Sequence, residues 1–221
     1  MNLSPLIISL KVAVAATAIT FLLGIFAACR VRKMSRFKGL ADGIFTLPMV
    51  LPPTVIGFFL LLMFGSNGLL GSFLSGLNLS VVFTWYGAVI AASVVSFPLM
   101  YRTARGAFDQ MDQELIYAAR TLGMSETKIF WKIILPSCWP GIVAGTSLSF
   151  ARALGEFGAT SMLAGNIPGK TQTMSLAIYS AVAGNNREKA YYWVVVIMVI
   201  SLATLLIMHR VTSPGKRKNR G

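Results

Sequence analysis

The chain has 221 residues, of which 55% are hydrophobic and only 12% charged. A soluble domain of this size carries roughly twice that charged fraction, which excludes an ordinary water-soluble globule. The net charge of +13 sits in clusters beside apolar runs, so it points to membrane topology and away from nucleic acid as a partner.

Taken in chain order, five nearly uncharged runs approach or exceed the length of about 20 residues that crosses a bilayer. They place spans at about 6–29, 43–64, 82–103, 134–157 and 190–208. The expected fold class is therefore all-α, a polytopic membrane protein, with one transmembrane domain at 1–209 and a basic tail at 210–221. Basic residues gather after the first span (Arg30, Arg32, Lys33, Arg36, Lys38) and between the third and fourth (Arg102, Arg105, Arg120, Lys128, Lys132). A third group follows the last span (Arg210, Lys216, Arg217, Lys218, Arg220). The positive-inside rule then puts the N-terminus outside and the C-terminus in the cytoplasm of a cell-membrane protein. Lys170, Arg187 and Lys189, in the outer connection 155–189, run against that trend without reversing it.

Lys11 in the first span is close enough to the outer surface to snorkel. The second span contains Pro48, Pro52 and Pro53, which free backbone carbonyls. Such a break is tolerated in a membrane where neighbouring helices or a wet cavity satisfy the backbone. It reads either as a plain kink or as a helix lining a pathway, with Pro52 and Pro53 as candidate pathway residues.

Between the third and fourth spans lies a coupling segment at about 109–132. Asp109 or Asp112 is placed to cap a helix, Glu114 sits in its first turn, and Gly123 closes it. Leu115, Ala118, Ala119 and Leu122 share one apolar face by spacing. Ser125 then caps a second short helix through Trp131, and Pro136 opens the next span. The apolar face suits either the membrane surface or a cytoplasmic partner. The central alanines, which let another backbone approach closely, favour the partner.

In the fourth span Arg152 and Glu156 fall on one helix face at i, i+4. Charges at membrane depth usually face a bundle interior or a water-filled route, so this is either a structural pair or part of a pathway. Gly155, Gly158 and Ala159 allow helices to cross closely there, and Phe157 completes the pathway candidates. Residues 171–186 read as a short helix against the outer side, not a sixth span. Cys29 and Cys138 lack metal-ligand spacing and read as packing residues, while a lone His209 cannot make a metal site. No nucleophile–base set appears, so catalytic and metal residues are expected to be none and the chain is not expected to be an enzyme. The N-terminus has no cleavable-signal pattern.

Residues 165–171, Gly-Asn-Ile-Pro-Gly-Lys-Thr, imitate a phosphate-binding loop. The spacing is one residue short and the proline removes an N–H donor, so a tight outer turn is expected instead.

The coupling segment resembles the transmembrane subunits of type I ABC importers, whose pattern is Glu-Ala-Ala, then Gly, then Ile-x-Leu-Pro. Ala118, Ala119, Gly123, Ile133, Leu135 and Pro136 stand in the matching places, with Tyr117 where the family's Glu usually is. Within that superfamily the chain is most similar to the molybdate permeases, with sulfate permeases next, over about residues 9–207. Leu47-Pro48 with residues 51–57 (LPPTVIG), 118–123 (AARTLG) and 150–160 (FARALGEFGAT) carry this likeness. It implies a homodimer that binds a cytoplasmic ABC ATPase dimer and an external molybdate-binding protein. ATP and Mg would be used by the ATPase, with no cofactor held by this chain. The expected activity is import of molybdate, and of tungstate with it, by alternating access. The alternatives are a sulfate/thiosulfate permease or an ion-gradient-driven transporter. The likeness assigns ATPase coupling to Glu114, Leu115, Ala118, Ala119, Leu122 and Gly123. It assigns the pathway or gate to Pro52, Pro53, Arg152, Gly155, Glu156 and Phe157.

Overall fold

The computed structural model describes residues 3–212. Lys216, Arg217, Lys218 and Arg220 of the basic tail expected at 210–221 lie outside the described residues. Eleven α-helices and no strand make up the described chain: α1 (Ser4–Arg32), α2 (Lys38–Val50), α3 (Pro53–Phe64), α4 (Leu69–Ser75), α5 (Trp85–Asp109), α6 (Gln113–Thr121), α7 (Glu126–Ile129), α8 (Leu135–Leu154), α9 (Gly158–Ala164), α10 (Met174–Ala183) and α11 (Arg187–Thr212). A π-helical turn, Phe130–Ile134, joins α7 to α8.

Four helical stretches are long and apolar enough to cross a membrane: Ser4–Arg32, Trp85–Asp109, Glu126–Leu154 and Arg187–Ile207. A fifth crossing arises only if α2 and α3 are taken together. They are bent by 110° at Leu51 and Pro52. The run expected as one kinked span at 43–64 is therefore two helices with a sharp break. The reason is local: Pro52 and Pro53 follow one another, so two successive amide donors are missing from the helical ladder. The residue before each proline is also pushed out of the helical region, and Leu51 takes an extended conformation (ψ 141°). Single prolines inside α5 (Pro98) and α8 (Pro140) leave those helices continuous.

The second helix expected from Ser125 through Trp131 is not separate. Ser125 does cap, its Oγ accepting from the Lys128 N–H at 3.4 Å, but the helix continues to Leu154. The π turn absorbs the register at the point where Pro136 enters the first turn of α8.

Helix α5 runs through the centre, packed against α1 on one side and α8 and α9 on the others. Small residues make this possible. Ala13, Ala16 and Ala28 of α1 and Ala88, Ala91, Ala92 and Ala104 of α5 are completely buried. A methyl group built on Gly24 of α1 would lie 2.7 Å from Met100 Cγ. Water supplies no hydrophobic drive between helices in lipid, so such close backbone approach, with its dispersion contacts, is what holds the pair. Helix α2, by contrast, buries no residue of its own. One of its contacts with α5 is Phe45, whose ring packs edge-on against Phe97 and Tyr101 at centroid distances of 5.5 and 5.2 Å.

The basic residues at the end of α1, the end of α5, and α6 with α7 define one end of the bundle. At the opposite end the stretch 171–186 contains α10, a helix of 10 residues, too short to span. It docks onto α1, where the Met174 N–H donates to Ser9 Oγ at 2.8 Å.

Candidate functional site

Two arrangements bring together the residues singled out in the sequence. The first is α6. Asp112 caps it, Oδ1 accepting from the Glu114 N–H at 2.9 Å. At its other end Gly123 takes φ +73°, a left-handed conformation that glycine adopts without strain. Its N–H donates to Arg120 O and the Met124 N–H reaches back to Ala119 O at 3.1 Å, closing the helix. Arg120 then forks onto Glu126 across this turn, Nε to Oε1 at 2.7 Å and Nη2 to Oε2 at 3.1 Å. These charge-assisted bonds push the Arg120 guanidinium pKa further above its ordinary value.

The apolar face expected on this helix is divided in two. Ile116 and Ala119, both 4% exposed, point inward against Phe108 and Ile129. Leu115, Ala118 and Leu122 point outward, with Leu122 at 81% exposure, and Glu114 and Gly123 are exposed beside them. Ala119 therefore belongs to the face that anchors α6 on the bundle and is corrected from the outward set. The i, i+3 pair of Ile116 and Ala119 was the missed signal, since α6 needs an inward face as well as an outward one. Tyr117, in the place of the resembling family's Glu, is 60% exposed, with Arg120 lying 6.0 Å from its ring centroid.

The second arrangement is a junction of two broken helices. The α2–α3 break lies against the break between α8 and α9. A methyl group on Gly158 would sit 3.1 Å from Pro53 Cβ, and one on Gly57 would sit 2.8 Å from Ala159 Cα. Pro53 and Gly158 thus place the two breaks in contact, and Pro52 precedes that contact at the N-cap of α3. Helix α8 ends at Leu154, so Arg152 and Glu156 do not share a helix face as expected. The chain turns at Gly155, which is exposed, and the pair still closes, Arg152 Nη1 to Glu156 Oε2 at 2.6 Å. Glu156 is 2% exposed, and its other oxygen accepts from the Ala159 N–H at 2.7 Å, satisfying a free donor in the first turn of α9. Phe157 leans on Tyr179 of α10 with centroids 5.3 Å apart. A buried carboxylate with both oxygens engaged, beside a half-buried guanidinium, gives a junction that is polar but carries little net charge.

The sequence reading missed one further network. Arg105 of α5, 7% exposed, donates to Asp42 of α2 at 3.1 Å and to Asp109 at 2.9 Å. The Tyr101 hydroxyl also donates to Asp42. Asp42 lies outside the apolar run, and its partner is 63 positions away, so nothing local announced it. Cys138 is buried, its thiol donating to Ala107 O at 3.3 Å. Among the described residues there is no group of three or more His, Cys, Asp or Glu that could hold a metal. Residues 165–171 form a tight turn. The Lys170 and Thr171 N–H groups both donate to Ile167 O, and Thr171 Oγ1 accepts from the Ile167 N–H at 3.0 Å. With Gly165 and Gly169 at φ +68° and +75°, its donors are turned on the loop itself and form no phosphate cradle.

Among the described residues the all-α bundle, with its two helix breaks in contact, has the fold of the transmembrane subunits of type I ABC importers. One solved structure of that kind, the MetNI methionine ABC transporter in inward-facing conformations, matches with TM-score 0.76, covering 94% of this chain and 93% of that one. At 15% identity the match speaks for the fold alone. The family model of the binding-protein-dependent transport system inner membrane component matches residues 20–218, and the chain belongs to that family. It is a family of transport components, not of enzymes. The molybdenum transport system permease protein ModB of Haemophilus influenzae is 39% identical over 221 residues, covering 99% of this chain and 96% of that protein. ModB of Escherichia coli is 42% identical over 204 residues, covering 91% and 89%. The sulfate transport system permease protein CysT of Salmonella typhimurium is 36% identical over 185 residues, covering 83% and 67%.

Proposed function

We propose that the chain is the permease subunit of an ATP-driven importer of molybdate, and of tungstate with it, in the cell membrane. The observation that carries this reading is the outward face of α6. Leu115, Ala118 and Leu122 remain exposed while Ile116 and Ala119 hold the helix on the bundle. Exposed apolar side chains on a capped, braced helix at the basic end mark a docking knob for a folded partner. The partner is a cytoplasmic ABC ATPase dimer that uses ATP and Mg, one ATPase for each copy of a homodimer of this chain. The N-terminus is outside and the basic end faces the cytoplasm, in keeping with the positive-inside rule.

ATP binding to the ATPase dimer draws the two α6 helices together, and hydrolysis releases them. Because ATP stabilises one arrangement of the ATPases over the other, it shifts the permease between inward- and outward-open states by at most that differential energy. The broken junction is the part of the bundle suited to move, since its helices are already interrupted and meet through Gly57, Gly158 and Pro53. Glu156 neutralises Arg152 there, so a passing dianion meets no strong cationic trap. An external molybdate-binding protein therefore supplies most of the selection. The likeness to the ModB proteins supports molybdate as cargo, and sulfate or thiosulfate is the competing cargo. Uptake of labelled molybdate, with the cognate binding protein and ATPase present, tests this. Tungstate in excess is expected to suppress it and sulfate in excess to leave it nearly unchanged. Suppression by sulfate but not tungstate would reassign the cargo.

A further inference from the structure

At the basic end a cavity of about 400 Å³ opens between the end of α1 and the inner side of α6 and α7. One wall is cationic, with Arg32 and Lys33. The other helices contribute a mixed wall, polar at Gln113 and Thr127 and apolar at Ile116, Phe130 and Ile134. Arg120 and Glu126 also line it as an ion pair, with Lys33 near enough to act on Glu126, so three cations share one carboxylate in the lining. Neither Arg32 nor Lys33 has an ion-paired carboxylate among the described residues. Residues 1–2 and 213–221 contain no Asp or Glu side chain that could supply one. Arg32 is half-buried and makes no ion pair, so its guanidinium is open to charge-assisted bonds with an anion.

We propose that this cavity is a binding site for the phosphate of an anionic phospholipid. A basic pocket between helices at the membrane–water boundary is the arrangement that holds such headgroups. The guanidinium fork of Arg32 suits phosphate oxygens, and Lys33 adds a point charge. The apolar part of the mixed wall, Phe130 and Ile134, accommodates the start of an acyl chain, which a free anion would leave uncovered. Two other basic residues of the cluster lie over aromatic rings: Arg30 over Phe26 at 5.0 Å and Arg36 over Phe37 at 5.9 Å. Gln113, Ile116 and Arg120 give α6 its cavity side, whereas Leu115, Ala118 and Leu122 form the docking side. A seated headgroup thus braces α6 against α1 without covering the knob.

Native mass spectrometry of the full chain tests the site, with phosphatidylglycerol, phosphatidylcholine and inorganic phosphate titrated separately. Phosphatidylglycerol is expected to bind about tenfold more tightly than phosphatidylcholine. Arg32→Gln with Lys33→Gln should abolish that preference, and Arg30→Gln with Arg36→Gln should keep it. Gln113→Glu, which sets a negative charge in the mixed wall, should weaken it without touching the basic cluster and stands in if the double variant fails to fold. Persistence of the preference in both the Arg32/Lys33 and Gln113 variants overturns the proposal. So does equal loss in the Arg30/Arg36 variant, which would mean diffuse surface charge. Displacement of the lipid by millimolar inorganic phosphate would also overturn it, in favour of a free-anion site.

Discussion

Arg152 and Glu156 meet at 2.6 Å across the end of α8, with Glu156 almost fully buried and Arg152 about one-third exposed. Glu156 also accepts from the Ala159 N–H, so it ties the end of α8 to the start of α9. Glu156→Ala removes both bonds and leaves a buried donor and a half-buried cation without partners. The expected loss is about 2 kcal/mol, below the 3–5 kcal/mol of a fully buried pair because water reaches Arg152. Glu156→Gln keeps an acceptor for Ala159 and should retain most of the stability. Thermal unfolding followed by tryptophan fluorescence checks the order, with the Ala variant expected below the Gln variant. Transport should suffer more than assembly in both.

The contact of the two breaks gives a sharper test. Gly57→Ala puts a methyl group 2.8 Å from Ala159 Cα, against backbone, so α3 and α9 must part. An overpacked contact of this kind costs about 1–3 kcal/mol. Gly106→Ala in α5, where an added methyl meets nothing within 4 Å, should be neutral or slightly stabilising. Equal melting temperatures for the two variants would show that the junction is not tightly packed.

On α6, burial separates docking from folding. Ala118→Glu and Leu122→Glu fall on the outward side and should abolish co-purification of the ATPase while leaving the melting temperature near wild type. Ala119→Glu forces a carboxylate into the anchoring side and should cost roughly 3 kcal/mol of stability, lowering the melting temperature by about 6–12 °C. Gly123→Pro is expected to lose the ATPase too, because proline cannot adopt φ +73° or donate to Arg120 O. Normal ATPase recovery with Ala118→Glu and Leu122→Glu would remove α6 from the coupling role.

The attachment of α2 rests on few groups. Asp42 takes bonds from Tyr101 and Arg105, and Phe45 packs edge-on against the stacked rings of Phe97 and Tyr101. Asp42→Ala should loosen α2 at a cost of about 1 kcal/mol, modest because Asp42 is already partly solvated. Faster proteolysis in the connection at 33–37 is the expected sign, with the remaining helices protected.

The apolar runs, the cap at Ser125, Asp112 as one of two candidate caps and the closing role of Gly123 were legible because each is written within a few residues. What escaped depends on contacts that only the folded bundle creates. Residues Pro52 and Pro53 announced a disturbance, but not a 110° bend, since a kink and a break begin with the same missing donors. The Arg152–Glu156 spacing suggested one helix face, yet Gly155 ended the helix between them and the pair closed across the end. Asp42 and Arg105 are far apart in the chain, and Ala119 could be assigned to the outer face until Ile116 fixed which side of α6 faced inward.

The most direct measurement is molybdate uptake into proteoliposomes holding this chain with its ATPase partner, supplied with the binding protein. Uptake should require ATP on the side of α6 and continue when proton and sodium gradients are dissipated. Uptake that persists without ATP while an ion gradient is maintained would contradict the account.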